Sequence, residues 1–412
     1  MILVTSAILL LIIIAFQRFF AKKDYLVFYA FFSLKILAVF GVYWLYNSYY
    51  NGSGDTFIFF ENAKAWFALF KSEDINLLEW LCIADKNNHN LKILPPEERS
   101  RFFNIILSVL MPLAQGSYLL LSVILTVIAA FCTWLFAQKL ILAINIRKWV
   151  VYLSILFIPS LLFWSSGILK ESLMLAAMSI IGFCYLNLKY SIRLPSVFFL
   201  IIASLILWKL KYYVAIVLLP LLLLTHLFSM GSNKLFLQSF PKKLTLYISL
   251  LVILCALLAF THPVFNSGLF FDLVRNSYEQ ILAADAASNF TFIHFEENVQ
   301  FVIFNAPFAL FTGLFRPFIW EAGSTFVLMA SLEQLIFAMS SAYSIYLIFK
   351  INFTQKEKWW LIGGIIYIIA LTIIITLATP NFGSLARFRV AYMPIAWLIN
   401  LFLLDKHFSI AK

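Results

Sequence analysis

Apolar residues in this chain run continuously, in blocks of about 20 broken by short charged stretches. A continuous run of that length is what a helix needs to cross about 30 Å of hydrocarbon. Membrane strands alternate apolar and polar positions instead, so strands are not expected. The pattern predicts crossing helices at 2–20, 25–46, 118–136, 149–164, 172–188, 196–208, 212–228, 245–261, 326–349, 359–378 and 389–404. Two further runs, 102–114 and 299–313, are short. Thirteen residues of helix reach only about 20 Å, so both are predicted to lie at the interface or to re-enter. After the second span, Asn51-Gly52-Ser53-Gly54-Asp55-Thr56 leads into a predicted helix over 56–71. Phe59, Ala63, Trp66, Phe67 and Phe70 fall on one face of it, and Glu61, Lys64, Ala68 and Lys71 on the other. That is the pattern of an amphipathic helix lying on a membrane surface.

Composition supports this architecture. Of 412 residues, 63% are hydrophobic and 12% charged, with 45 Phe and a mean hydropathy of +0.94. Soluble domains are about 45–50% apolar and about 25% charged, so a soluble enzyme, a disordered chain and a disulfide scaffold are all excluded. The fold class expected is an all-α polytopic membrane protein with about eleven transmembrane helices and amphipathic juxtamembrane helices on its outer face.

The net charge of +11 would suggest nucleic acid in a soluble protein. Its distribution says otherwise. With the N-terminus placed outside, the inner segments hold 16 bases and three acids (Asp24, Glu357 and Asp405). The remainder holds 14 bases and 16 acids. Basic residues gather on the cytoplasmic side of membrane proteins. The charge is therefore an orientation signal, with the N-terminus outside and the C-terminus cytoplasmic, and no nucleic-acid partner is expected. The first span has its positive flank after it and no cleavage motif, so it reads as a retained helix.

Cys132, Cys184 and Cys255 lie in spans and Cys82 stands alone, so no disulfide framework is predicted. His89, His226, His262, His294 and His407 show no ligand spacing, and no Walker A or GxGxxG motif is present.

Chemistry is expected outside, in the loops 47–117 and 262–325 and the turns 165–171 and 379–388. Asp55 reads equally as an N-cap and as a base or metal ligand at the membrane surface; Glu61 lies six residues on. The turn Ser165-Ser166-Gly167-Ile168-Leu169-Lys170-Glu171 forms a compact polar cluster. A snorkelling lysine beside a helix-capping acid is the plain alternative. In Leu314-Phe315-Arg316-Pro317-Phe318-Ile319-Trp320-Glu321, Arg316 suits a phosphate or carboxylate clamp, or simply a pair with Glu321. In Asn381-Phe382-Gly383-Ser384-Leu385-Ala386-Arg387-Phe388-Arg389, two arginines stand where the positive-inside rule disfavours them. Lipid headgroups would offset that cost, and so would a lipid-linked phosphate. Lys35 and Glu333 fall inside spans, where ionisable residues face the bundle interior. Lys209 and Lys211 flank another outer turn.

This arrangement resembles the GT-C superfamily of integral-membrane glycosyltransferases. The similarity covers roughly residues 25–261: a span, a first outer loop 47–117 with an acid and surface helices, then six more spans. Residues 1–24 would be an extra N-terminal span, 262–325 an outer loop with a re-entrant or interfacial segment, and 326–412 a three-span module. The resemblance implies sugar transfer from a polyprenyl-phosphate-linked donor to a lipid-linked or cell-envelope acceptor, on the outer face of a bacterial cytoplasmic membrane. It places Asp55 at the family's first-loop acid and Lys170 and Glu171 in its second outer loop. Catalytic candidates are Asp55, Glu61 and Glu171; substrate-binding candidates are Lys170, Arg316, Glu321, Arg387 and Arg389. No Asp-x-Asp pair is present, so no cofactor is assigned and a divalent cation is left open. Two alternatives stand beside this expectation: a polysaccharide polymerase of the O-antigen type, and a lipid or saccharide transporter or flippase.

Overall fold

The computed structural model describes residues 2–52, 54–72, 97–144, 146–188, 193–230, 240–262, 278–279, 288–292 and 299–410. Ser53, Cys82, His89, His294 and much of the expected loop 262–325 lie outside them. Among the described residues every regular element is helical. In chain order the helices are α1 (Ile2–Phe20), α2 (Tyr25–Trp44), α3 (Asp55–Ser72), α4 (Glu98–Ala114), α5 (Tyr118–Ile144), α6 (Lys148–Val151), α7 (Pro159–Trp164) and α8 (Lys170–Leu188). There follow α9 (Leu194–Met230), α10 (Phe240–Phe260), α11 (Val299–Phe315), α12 (Thr325–Ile348), α13 (Gln355–Leu377), α14 (Phe382–Phe388) and α15 (Met393–Ile410).

Among the described residues eight helices are long and apolar enough to cross a membrane: α1, α2, α5, α8, α9, α10, α12 and α13. In its described residues the protein is thus all-helical, and it is of the multi-pass membrane kind. Four of the expected spans take a different form. The run 149–164 is broken, with α6 widening into a π-type turn at Tyr152–Leu156 and the helix restarting at Pro159. Proline supplies no N–H and pushes the preceding residue out of the helical region, which accounts for a break at 157–158. The runs 196–208 and 212–228 join into α9, 37 residues long, whose backbone leaves the helical region only at Lys211 (φ −148°, ψ 69°). A straight helix of that length would measure about 55 Å, nearly twice the hydrocarbon thickness. The last run, 389–404, starts at the tight turn Arg389–Ala391 that joins α14 to α15, two helices bent by 67°.

The chain forms two units. The first comprises 1–140, 162–186 and 193–211. Its core joins Phe59, Phe60 and Ala63 of α3, Phe103, Leu107 and Met111 of α4, and Leu121, Ile124 and Leu125 of α5, with Ile168, Leu173 and Leu210. The amphipathic α3 matches its predicted faces: Phe59, Ala63 and Trp66 are buried, and Glu61, Lys64 and Ala68 are exposed.

The second unit comprises 141–161, 187–192 and 212–412. Trp359 of α13 packs against Phe228 and Tyr247. Asn400 of α15 donates to Ser341 of α12 at 2.7 Å, the type of polar contact that joins helices in lipid. At Gly313, α11 meets α13 so closely that a Cβ would lie 2.3 Å from Thr372 Cγ2 and from Thr376 Oγ1.

Candidate functional site

In the first unit, polar side chains converge where α3, α4, α8 and α9 begin or bend. The buried turn 165–169 sets up this region. Gly167 sits at φ +81°, where a Cβ would also press on Val42 at 3.3 Å. The turn's backbone groups cannot pair within a helix, so side chains take them up. Lys35 of α2, only 1% exposed, donates to Ser165 O at 2.8 Å and Oγ at 2.5 Å. Thr126 Oγ1 accepts from Gly167 N at 2.7 Å, and Ser172 Oγ donates to Gly167 O at 3.1 Å. Three helices thereby fix the turn that delivers Lys170 and Glu171 to the start of α8.

Lys170 is 15% exposed at its side chain. Its ammonium donates to Ser100 Oγ at 2.7 Å, pairs with Glu97 Oε2 at 3.3 Å and lies 5.0 Å from the centre of the Phe59 ring. Glu171 pairs with Lys211 at 3.0 Å, with side chains only 2% and 6% exposed. The pair is buried in a largely apolar bundle, where it persists only because both charges are present. Lys209 and Glu98 pair at 2.6 Å on the exposed side. The Lys211 pair sits where α9 loses helical geometry, so the kink and the ion pair share one residue.

Asp55 and Thr56 open α3. Gly54 before them has φ +150°, and a Cβ there would come within 2.5 Å of the Tyr46 ring, so only glycine lets the chain enter α3 this way. Asp55 is exposed and stands one helical turn before Phe59, the residue beneath the Lys170 ammonium. Residues four apart share a helix face, so α3 carries Asp55 and the Lys170 contact on one side. Glu61 lies on the exposed face, away from buried Phe59 and Ala63.

Glu97, Ser100 and Arg99 belong to this cluster, and the sequence-based reading missed them. The signal was present in Pro95-Pro96-Glu97-Glu98: prolines and acids mark a helix start, and α4 begins at Glu98 rather than at 102. Burial alone would push the Glu97 carboxyl up. Arg99, Lys170 and the Ser100 hydroxyl outweigh it and hold Glu97 down at about 2.

In the second unit, Arg316 and Glu321 face each other. Arg316 Nε donates to Glu321 Oε1 at 2.9 Å and Oε2 at 3.2 Å, and its Nη2 also donates to Oε1. The guanidinium is boxed by Phe290, Phe308 and Phe382 at 5.7, 5.6 and 5.0 Å from their ring centres. Burial alone would raise the Glu321 carboxyl, but Arg316 and the Phe318 amide bring it below the usual carboxylate range. Arg389 is buried and donates to the carbonyls of Thr312, Gly313 and Arg316. These lie at the end of α11, where helix carbonyls run out of helical amide partners; Thr312 O also accepts from Arg316 N at 3.2 Å and Gly313 O from the Tyr392 hydroxyl at 2.9 Å. Arg387 is half-buried against the Phe388 ring at 5.0 Å. Glu333 accepts from Ser160 N at 2.8 Å and Ser160 Oγ at 2.6 Å, at the first turn of α7.

The structure therefore brings Lys170, Glu171, Lys209 and Lys211 together in the first unit, with Asp55 a helical turn from the Lys170 contact. In the second it pairs Arg316 with Glu321 and commits Arg389 to backbone. Among the described residues no three His, Cys, Asp or Glu side chains gather as a metal site. No family model, no curated protein and no solved structure matches this chain.

Proposed function

We propose that the protein is a membrane glycosyltransferase of the GT-C kind, which moves a sugar from a polyprenyl-phosphate-linked donor to a lipid-linked or cell-envelope acceptor on the outer face of a bacterial cytoplasmic membrane. The observation that carries this is the cation cluster of the first unit, Lys170 on Ser100 and Lys211 behind it, with the exposed Asp55 one helical turn along α3 from Phe59, the ring beneath Lys170. The cluster suits a phosphate leaving group, and Asp55 suits a general base.

In the proposed reaction Asp55 takes the proton of an acceptor hydroxyl as that oxygen bonds to the sugar C1. The bond from C1 to the lipid phosphate oxygen breaks, and the electron pair leaves with the phosphate. Lys170 stabilises the charge that develops there, with the buried Lys211 adding its field from behind. Glu171 keeps Lys211 in place. Glu61, on the other face of α3, is assigned no step. The candidates of the second unit, Arg316, Glu321, Arg387 and Arg389, are assigned no step: Arg316 is paired with Glu321, and Arg389 holds the end of α11. In the eleven-span arrangement with the N-terminus outside, α9 counts as two crossings that meet at Lys211, and α14 and α15 as one bent crossing.

The test is to supply purified protein with a polyprenyl-phosphate sugar and candidate acceptors. One sugar added per acceptor supports the proposal, and a ladder of repeats points to a polymerase. A transporter is the second reading. The break at 157–158 and the 67° bend between α14 and α15 favour it, because transporters place sites at discontinuous helices. Uptake into proteoliposomes with no covalent product would establish the transporter instead.

A further inference from the structure

Glu97 occupies an unusual position among the charges of the first unit. One carboxylate oxygen accepts from Ser100 Oγ at 2.6 Å and meets Lys170 Nζ at 3.3 Å, while the other pairs with Arg99. An ammonium, a guanidinium and a hydroxyl all converge on a single anionic group. That donor set is the one proteins use for phosphate. Here a residue of the chain itself fills it. Glu97 is half-exposed, unlike the buried Glu171–Lys211 pair behind it, so a ligand could reach the donors if the carboxylate swung away.

We infer that Arg99, Ser100 and Lys170 form a site for a phosphate monoester, and that Glu97 occupies it when no ligand is bound and must be displaced for the phosphate to dock. Glu97 is then a competitor built into the site, and its reach sets the phosphate affinity. This rests on Lys170 as a phosphate contact, as proposed above, but needs no sugar transfer. Moving Glu97 breaks one ion pair with Lys170 and one with Arg99, and the phosphate restores both.

The experiment measures binding of decaprenyl monophosphate, and separately of inorganic phosphate, to the full chain in lipid nanodiscs. Glu97→Gln removes the competing charge and should tighten phosphate binding about fivefold, the scale of one partly exposed ion pair. Glu97→Asp keeps the charge with a shorter reach and should fall between, which keeps the test open if the first variant folds poorly. Adding Lys170→Gln to Glu97→Gln should abolish the gain. A gain with inorganic phosphate as well assigns the site to the phosphate itself, and a gain with the lipid alone assigns it to a lipid headgroup. If neither Glu97 variant binds either probe more tightly than wild type, the inference is overturned. Tighter binding without sugar transfer would uphold the competitor and defeat the transferase. Sugar transfer with phosphate affinity unmoved by Glu97 would do the reverse.

Discussion

At the scale of single residues, the molecule is governed by ionisable side chains in apolar surroundings, each matched to a partner. Lys211 and Glu171 are the most demanding case, since neither can keep its charge inside the bundle without the other. Lys211→Met should destabilise the protein by about 3–5 kcal/mol, because it strands the Glu171 carboxylate. Lys211→Met with Glu171→Gln should recover much of that loss, measured as thermal unfolding in micelles. Glu97 gives a pH dependence. Its carboxyl is held at about 2, below an unfolded value of about 4.3. A depressed carboxylate contributes stability that is full above the unfolded value and lost as pH falls through the folded one. The tether at the start of α4 should therefore loosen between about pH 4 and pH 2, seen as faster amide exchange in the first turn of α4. The sequence alone could suggest that Lys170, Glu171, Lys209 and Lys211 share a polar end of the bundle. It could not supply the pairings, because these depend on contacts between residues 40 to more than 100 apart in the chain. Lys35 and Glu333 show this most plainly: as ionisable groups in spans they could have been partners, whereas each holds backbone at a helix break.

At the scale of elements, close packing decides which helices meet. Gly313 lets α11 approach α13 to a distance that excludes a methyl group. Gly313→Ala should force the two helices apart and cost about 1–3 kcal/mol by overpacking. Thr372→Ser removes the methyl carbon a new Cβ would strike, so it should restore part of the loss in the double variant, again by thermal unfolding. Periodicity made the elements that follow one rule legible. The faces of α3 were readable because Phe59, Ala63 and Trp66 repeat at helical spacing. Breaks were harder to read. Pro159 marked one, but nothing in the run around Lys211 separates a kink from a turn, since no proline or glycine stands among residues 208–214. Arg389 looked like an anion contact because arginine is rare at such a position. Its actual partners, the carbonyls ending α11, carry no mark in the sequence.

At the scale of the whole molecule, hydropathy and charge give an all-helical membrane protein with a topology that can be tested directly. With eleven crossings Lys209 is exposed outside, whereas a single straight α9 would bury it in the hydrocarbon. In an otherwise cysteine-free chain, Lys209→Cys should react with a membrane-impermeant maleimide from the outside of intact cells, and Lys406→Cys only after permeabilisation. The central claim is that Asp55 and Lys170 act on one substrate. It is tested most directly by the rate of sugar transfer from a polyprenyl-phosphate donor in wild type, Asp55→Asn, Lys170→Gln and the double variant. We expect each single change to lower kcat by about a hundredfold or more, and the double change to lower it little further, as for groups that serve one transition state. Full transfer by Asp55→Asn, or no transfer by the wild type from any polyprenyl-phosphate sugar, would contradict it.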